Sequence, residues 1–248
     1  MIKIENARVD GFQEAIRGCR NSWDSHEKSD SGYIEYYKGV DNGVLSEYGV
    51  MMNEKQFRHI SCEPLLEDIG RFYTIGENDR KLLLKLVKAG DCHAKCMRMV
   101  TVWFDLTAPM YFWKHFDQYH HIVRCSESVM HTITAKDLEI DDFSYSDTRS
   151  KSILYRIIGQ LNEWVKDYKT STSREEKKLF WRCIIETLPQ SYMQKSTICT
   201  NYQTLRNMYH QRKGHKLNEW AEFREWCESL PYSELITTVS GREEIVTP

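Results

Sequence analysis

The sequence predicts an α/β (α+β) domain, with strands set among several long amphipathic helices. Met97–Leu106 alternates apolar and polar residues well enough to read as a half-buried strand. Apolar residues recur every three to four positions after Asn78, after Ile153 and after Ser173, the spacing of one helix face. At 248 residues the chain is long enough to bury a sizeable core, and residues 1–248 are expected to form a single domain.

Ile2 and Ile4 alternate with polar neighbours as a short strand does, and Asp10–Gly18 predicts a helix turning Phe12, Ala15 and Ile16 inward. Asn21–Gly32 is polar and reads as a loop, while Tyr33–Ile60 shows no single period. Asn78 is placed to cap a helix whose Leu82, Leu83, Leu86 and Val87 make one face, closed by Gly90. Pro109 suits the first turn of a helix running to about His121. Asp137, Glu139, Asp141, Asp142 and Asp147 crowd residues 136–150, predicted as a mobile acidic loop. Ile153, Ile157, Leu161, Trp164 and Tyr168 follow at helical spacing, and Ser173 with Glu176 has the spacing of a capping box. Asn201–Arg212 reads as a further helix, and residues 233–248 as a weakly structured tail.

A formal charge of −2 argues against a generic nucleic-acid-binding surface. No apolar run is long enough to cross a bilayer, and the polar start Met1–Arg8 does not read as a signal peptide. Eight cysteines scattered through a chain of this length make no disulfide framework, which points to a reducing, cytoplasmic setting.

The richest stretch follows Leu188-Pro189. It holds Asn201, Gln203, Asn207 and Arg212, then Glu219-Trp220. Carboxamides suit the polar edge of a heterocycle, and a guanidinium suits a phosphate or carbonyl edge. The same residues would also serve as one solvated helix face. Arg206, Arg212, Lys213 and Lys216, with His210 and His215, make this the most basic part of the chain, a patch suited to an anionic ligand.

This run resembles the C-terminal signature of the flavin-dependent thymidylate synthases, in which Leu-Pro leads to Asn-x-Arg-Ser-Leu-x-(His/Asn)-Phe-x-x-x-Arg and then Gln/Glu-Trp. Leu188-Pro189, Asn201, Leu205, Asn207 and Arg212 keep that register without a gap. Upstream, Gly90-Asp-Cys-His93, a strand, Ala108-Pro109 and a helix carrying Phe116 resemble the family's Gly-His segment, strand and following helix. The likeness spans residues 78 to 232. It departs where the family has Arg-His-Arg, since Asp117-Gln118-Tyr119 stands there. Ser128 falls on the family's second serine without the flanking arginines, Gln203 stands for one arginine and Ile185 for another.

The resemblance implies a mixed sheet flanked by long helices, and a homotetramer with flavin sites at subunit interfaces. It implies a small-molecule nucleotide as substrate: dUMP methylated to dTMP, with FAD as cofactor and methylenetetrahydrofolate and NADPH as co-substrates. Asn201, Asn207, His93 and Gln118 would then hold the flavin. Arg212, Gln203, Ser128 and Arg124 would hold the nucleotide, with Arg212 and Ser128 nearest the chemistry. The altered arginine set leaves an alternative, a fold relative that binds or sequesters a nucleotide, or modifies a different pyrimidine.

Two further patterns are weaker. Cys92-His93-x-x-Cys96 has thiolate and imidazole at short spacing, yet no second Cys/His pair of matching spacing completes a zinc site. Ser126, Ser128 and His131 lack the Gly-x-Ser-x-Gly elbow of a hydrolase, and no Gly-x-Gly-x-x-Gly or Walker loop occurs.

Overall fold

The computed structural model describes residues 1–41, 44–48 and 69–241, with side chains described outside 34–72. Its elements run β1 (Lys3–Asp10), α1 (Phe12–Asn21), β2 (Gly32–Asp41), β3 (Val44–Tyr48), β4 (Ile69–Thr74) and α2 (Glu77–Ala89). Next come β5 (Thr101–Pro109), α3 (Met110–Phe116), β6 (Val123–Ser126), α4 (Val129–Thr132), α5 (Thr148–Thr170) and α6 (Arg174–Thr187). The chain continues as β7 (Met193–Asn201), α7 (Tyr202–Gln211), α8 (Asn218–Glu228) and α9 (Glu234–Thr237). Helices and sheets are combined as the α/β (α+β) expectation has it, in two compact units. Of the stretch Tyr33–Ile60, residues 42–43 and 49–60 lie outside the described residues, as do residues 61–68 beyond it.

The larger unit comprises Met1–Val9 and Thr101–Thr237. Its sheet has the order β1-β5-β7-β6, and β7 pairs antiparallel with both β5 and β6. Val102, Phe104, Leu106 and Ala108 of β5 are buried while Thr101, Trp103, Asp105 and Thr107 are half-buried, the period of two that the sequence announced. The strand begins at Thr101, however, not at Met97, because Lys95–Arg98 forms a 3-10 turn that buries Cys96 and Met97 in the other unit.

β7 was not foreseen. Its buried residues are Ser196, Ile198 and Thr200, so two of its three inward positions are small and polar and the hydrophobic alternation is masked. Asn201 ends this strand and caps α7, its side chain accepting from the Thr204 N–H at 2.9 Å, so it lies outside the helix it was expected to share with Arg212.

α3 stops at Phe116 rather than His121. The chain beyond it turns, with His121 at a left-handed φ of 62°, and the carbonyls of His120 and His121 accept from the Thr204 and Thr200 hydroxyls. Phe112, Phe116, Trp220 and Phe223 pack on one another, and Phe104 brings this aromatic cluster to the sheet. A second cluster joins Leu154, Ile158, Leu161 and Val165 of α5 to Ile184 of α6.

The acidic stretch is anchored rather than free. Leu138 and Phe143 are buried, Glu139 and Asp142 form a reciprocal capping box, and the Asn162 carboxamide bonds both the N–H and the carbonyl of Leu138. The tail expected to be weakly structured carries α9, whose Leu235 and Ile236 are buried. Residues 242–248 lie outside the described residues.

The smaller unit, Asp10–Val100 and the segment from Thr238, holds α1, α2 and the antiparallel sheet β3-β2-β4. Asn78 does not cap α2; it sits inside the first turn, and the Asp30 carboxylate accepts from the N–H groups of Asn78 and Asp79 instead. Asp79, with no exposed surface, receives Arg20, Ser29, Ser31 and the Asp30 N–H. Burial alone would raise its pKa, but the donors of Ser29, Ser31 and Arg20 outweigh it and hold the carboxyl below its ordinary range.

Candidate functional site

α7 organises the larger unit's polar residues. At about 1.5 Å per residue its ten residues span roughly 15 Å, with Asn201 at one end and Arg212 at the other. Between them Gln203 and Asn207 stand one turn apart, and the Gln203 amide donates to Asn207 Oδ1 at 3.1 Å. Gln203 is buried, and its Oε1 has no hydrogen-bond partner among the described residues. A buried acceptor left unmet costs about 1–3 kcal/mol, which a bound donor would recover.

Arg212 is half-buried and held on three sides. Its Nε donates to the Tyr119 hydroxyl at 2.7 Å, and its guanidinium lies 4.8 Å from the Trp220 ring and 5.2 Å from the Tyr119 ring. Stacking and one hydrogen bond fix the plane of the cation, while its two terminal nitrogens have no partner among the described residues. His215 packs edge-on against Trp220 and His115, and its pKa is pushed below 6.5 by burial, then by the Arg212 charge and His115. Near neutral pH the positive centre of this corner is therefore Arg212.

The Glu219-Trp220 pair is explained by the core. Trp220 is fully buried, and Glu219 accepts from the Tyr111 hydroxyl, whose pKa burial and then this carboxylate raise to about 12. Arg206 leaves the expected basic patch: it is 2% exposed and donates to the Ile236 carbonyl of α9.

Asp117, negative where the resemblance has a cation, is neutralised locally by Arg124 at 3.1 Å. Arg124 also lies 4.5 Å from the Trp113 ring, and its buried Nη1 has no partner among the described residues. Gln118 is exposed on the turn after α3. Ser128 is exposed at the start of α4 and lines a cavity of about 460 Å³ with Met110, Ser126, Glu127, Ile185, Leu188 and Gln194. Ser126 accepts from Ser196 at 3.0 Å, and His131 meets Ser128 through its backbone N–H on the Ser128 carbonyl, with no described hydrogen bond from either serine hydroxyl to the His131 ring. His93, exposed in the turn after Gly90, belongs to the smaller unit and lines a cavity of about 370 Å³ there. Among the described residues no three His, Cys, Asp or Glu side chains converge as a metal site.

The structure thus brings Gln203 to Asn207 and fixes Arg212 against Tyr119 and Trp220, with Asn201 at the opposite end of α7. Tyr119 and Trp220, the partners of Arg212, are the residues that sequence reasoning did not assign to the site. Tyr119 is 93 positions from Arg212, and no spacing rule joins them.

No family model matches the chain, and no curated protein matches it in sequence. Solved structures do. Thymidylate synthase X from Helicobacter pylori, crystallised with FAD and dUMP, superposes with a TM-score of 0.66 at 12% identity, over 95% of this chain and 96% of that one. A second Helicobacter pylori structure of this flavin-dependent synthase, also with FAD and dUMP, gives 0.60 at 12% identity over 94% and 96%. PolB, a UMP/dUMP methylase from Streptomyces cacaoi bound with 5-Br dUMP, gives 0.54 at 12% identity over 98% and 97%. Among the described residues no helix is long and apolar enough to cross a membrane. The chain has the fold of the flavin-dependent thymidylate synthases.

Proposed function

We propose that this chain is a flavin-dependent enzyme that methylates a pyrimidine nucleotide: dUMP to dTMP, with methylenetetrahydrofolate as carbon donor, FAD as cofactor and NADPH to recharge it. The observation that carries the reading is Arg212, a guanidinium fixed by Tyr119 and Trp220 with its terminal nitrogens open, in a fold whose solved examples hold FAD and dUMP. A fixed planar cation suits a phosphate or a polarised ring carbonyl, and neutralises charge that builds on the pyrimidine.

The unmet Gln203 Oε1 fits the same ligands, because flavin and uracil both carry an imide N–H that would meet it. Asn201, Asn207 and Gln118 are the proposed flavin contacts, and Ser128, Arg124 and Gln203 accompany Arg212 at the nucleotide. Bound flavin supplies the hydride chemistry, and the chain's own groups hold, orient and polarise. A homotetramer is part of this reading.

The test is direct. Purified protein titrated with FAD should shift the flavin absorbance, and with the co-substrates it should release tritium from ring-labelled dUMP. Arg212→Ala should cut that release by about 100-fold or more while flavin uptake persists. Protein that takes up no flavin and releases no tritium overturns the proposal.

A second reading draws on Asp117 and Gln203, a carboxylate and a carboxamide at positions where the resemblance has arginine. On that reading the chain binds a nucleotide, or modifies another pyrimidine, without the family's chemistry. Thermal stabilisation by UMP or dUMP in colourless, flavin-free protein would favour it.

A further inference from the structure

The smaller unit contains a thiol pair that the proposed function does not use. α1 packs against the 3-10 turn Lys95–Arg98, and two glycines let it come close. A Cβ at Gly11, whose φ is +95°, would stand 2.2 Å from the Met99 carbonyl oxygen, and one at Gly18 would stand 3.3 Å from Met99 Sδ. This approach brings Cys19 of α1 to Cys96 of the turn, 77 positions later in the chain. Both are buried, at 4% and 8% exposure, and both line the cavity of about 370 Å³, which is therefore their route to a small reagent.

The two sulfurs differ in chemistry. The Cys19 thiol donates to Cys96, and the N–H groups of Cys96 and Met97 also point to that sulfur. These donors, the Cys19 thiol first, hold the Cys96 pKa below its ordinary value against the opposing effect of burial. Cys19 is correspondingly raised, first by the hydrogen bond it gives and then by burial. The thiolate is the nucleophilic form, so Cys96 is the sulfur poised to attack and Cys19 its protonated partner on the wall of the same cavity.

We propose that Cys96 and Cys19 form a hydroperoxide-reactive dithiol, with Cys96 the attacking sulfur and Cys19 the resolving one. The Cys96 thiolate attacks the terminal peroxide oxygen; the S–O bond forms, the O–O bond breaks, and the departing alkoxide takes a proton to leave as an alcohol, or as water from hydrogen peroxide. The sulfur of Cys19 then attacks the sulfenic sulfur of Cys96. The S–S bond forms, the S–O bond breaks, and hydroxide leaves with the Cys19 proton as water. Two electrons pass from the thiol pair to the peroxide. The proposal does not rest on the flavin reading, since peroxide, a small cavity and two thiols suffice.

The reduced full-length protein is treated with near-stoichiometric hydrogen peroxide, quenched with N-ethylmaleimide, and mapped by non-reducing peptide mass spectrometry. A Cys19–Cys96 linked peptide should appear first, with Cys96 oxidised about tenfold faster than exposed Cys125 or fully buried Cys227. In Cys19→Ser, Cys96 should accumulate as a sulfenic acid that dimedone traps. The rate order within the wild-type sample needs no variant, so it decides the matter even where a substitution unfolds the unit. Linkage of Cys96 to exposed Cys92, or oxidation of Cys96 no faster than Cys227, overturns the proposal.

Discussion

Tyr119 decides what Arg212 can do. Without it the guanidinium would be a long, rotatable cation at a helix end; with the hydroxyl on Nε and Trp220 beneath, one edge is left to present. A hydrogen bond to a charged group contributes about 1.5–3 kcal/mol, and Tyr119→Phe removes it while keeping the ring. The stacking partners persist, so nucleotide affinity measured by calorimetry should fall at the low end, roughly tenfold. Unchanged affinity in Tyr119→Phe alongside a loss in Arg212→Ala would show that the hydroxyl does not position the arginine. Arg212→Lys should behave like the alanine variant, because an ammonium neither stacks as a plane nor offers two parallel donors. The Asp117–Arg124 pair shows the same economy of charge: a substitution that reads as hostile in sequence is cancelled by a side chain seven positions on.

Among the elements, α2 depends on a buried ion pair and on a cap supplied from outside its own sequence. Arg20 and Asp79 lie 2.7 Å apart with 7% and 0% side-chain exposure. Removing one partner of such a pair costs about 3–5 kcal/mol, so Asp79→Asn should lower the thermal midpoint of the smaller unit markedly. The sign of its pH dependence follows from a folded pKa held below 3.8. The stability that Asp79 adds is present above about pH 4 and is lost as the pH falls through the lower folded value. Melting followed from pH 7 to 3 should therefore fall more steeply in the wild type than in Asp79→Asn; parallel curves would contradict this account. In the larger unit, Leu161 is fully buried between α5 and its neighbours, and Leu161→Ala should cost about 2–5 kcal/mol by denaturant unfolding.

For the whole molecule, the proposed assembly is a homotetramer, and light scattering should give four times the 29.5 kDa chain mass. A monomer with and without FAD would contradict the assembly while leaving the Arg212 geometry intact. The likeness in fold extends over nearly all of the chain at 12% identity, so the arrangement of elements is shared where most side chains differ. That contrast is why the resemblance was legible only through a short register, Leu188-Pro189 to Arg212, and through a few matched residues upstream.

By itself the sequence determined the elements with strong local signals. The β5 alternation, the α5 period and the Ser173 cap each depend on neighbours a few positions apart, and each stands where the pattern put it, within a few residues. It also pointed to α7 and Arg212. Only the tertiary structure decided that β7 lies between β5 and β6, that Asp30 caps α2, that Asn201 is a cap and Arg206 a buried strut, and that Tyr119 holds Arg212. These contacts join residues whose pairing is fixed by packing and burial, and a one-dimensional pattern carries periodicity but no distance between segments.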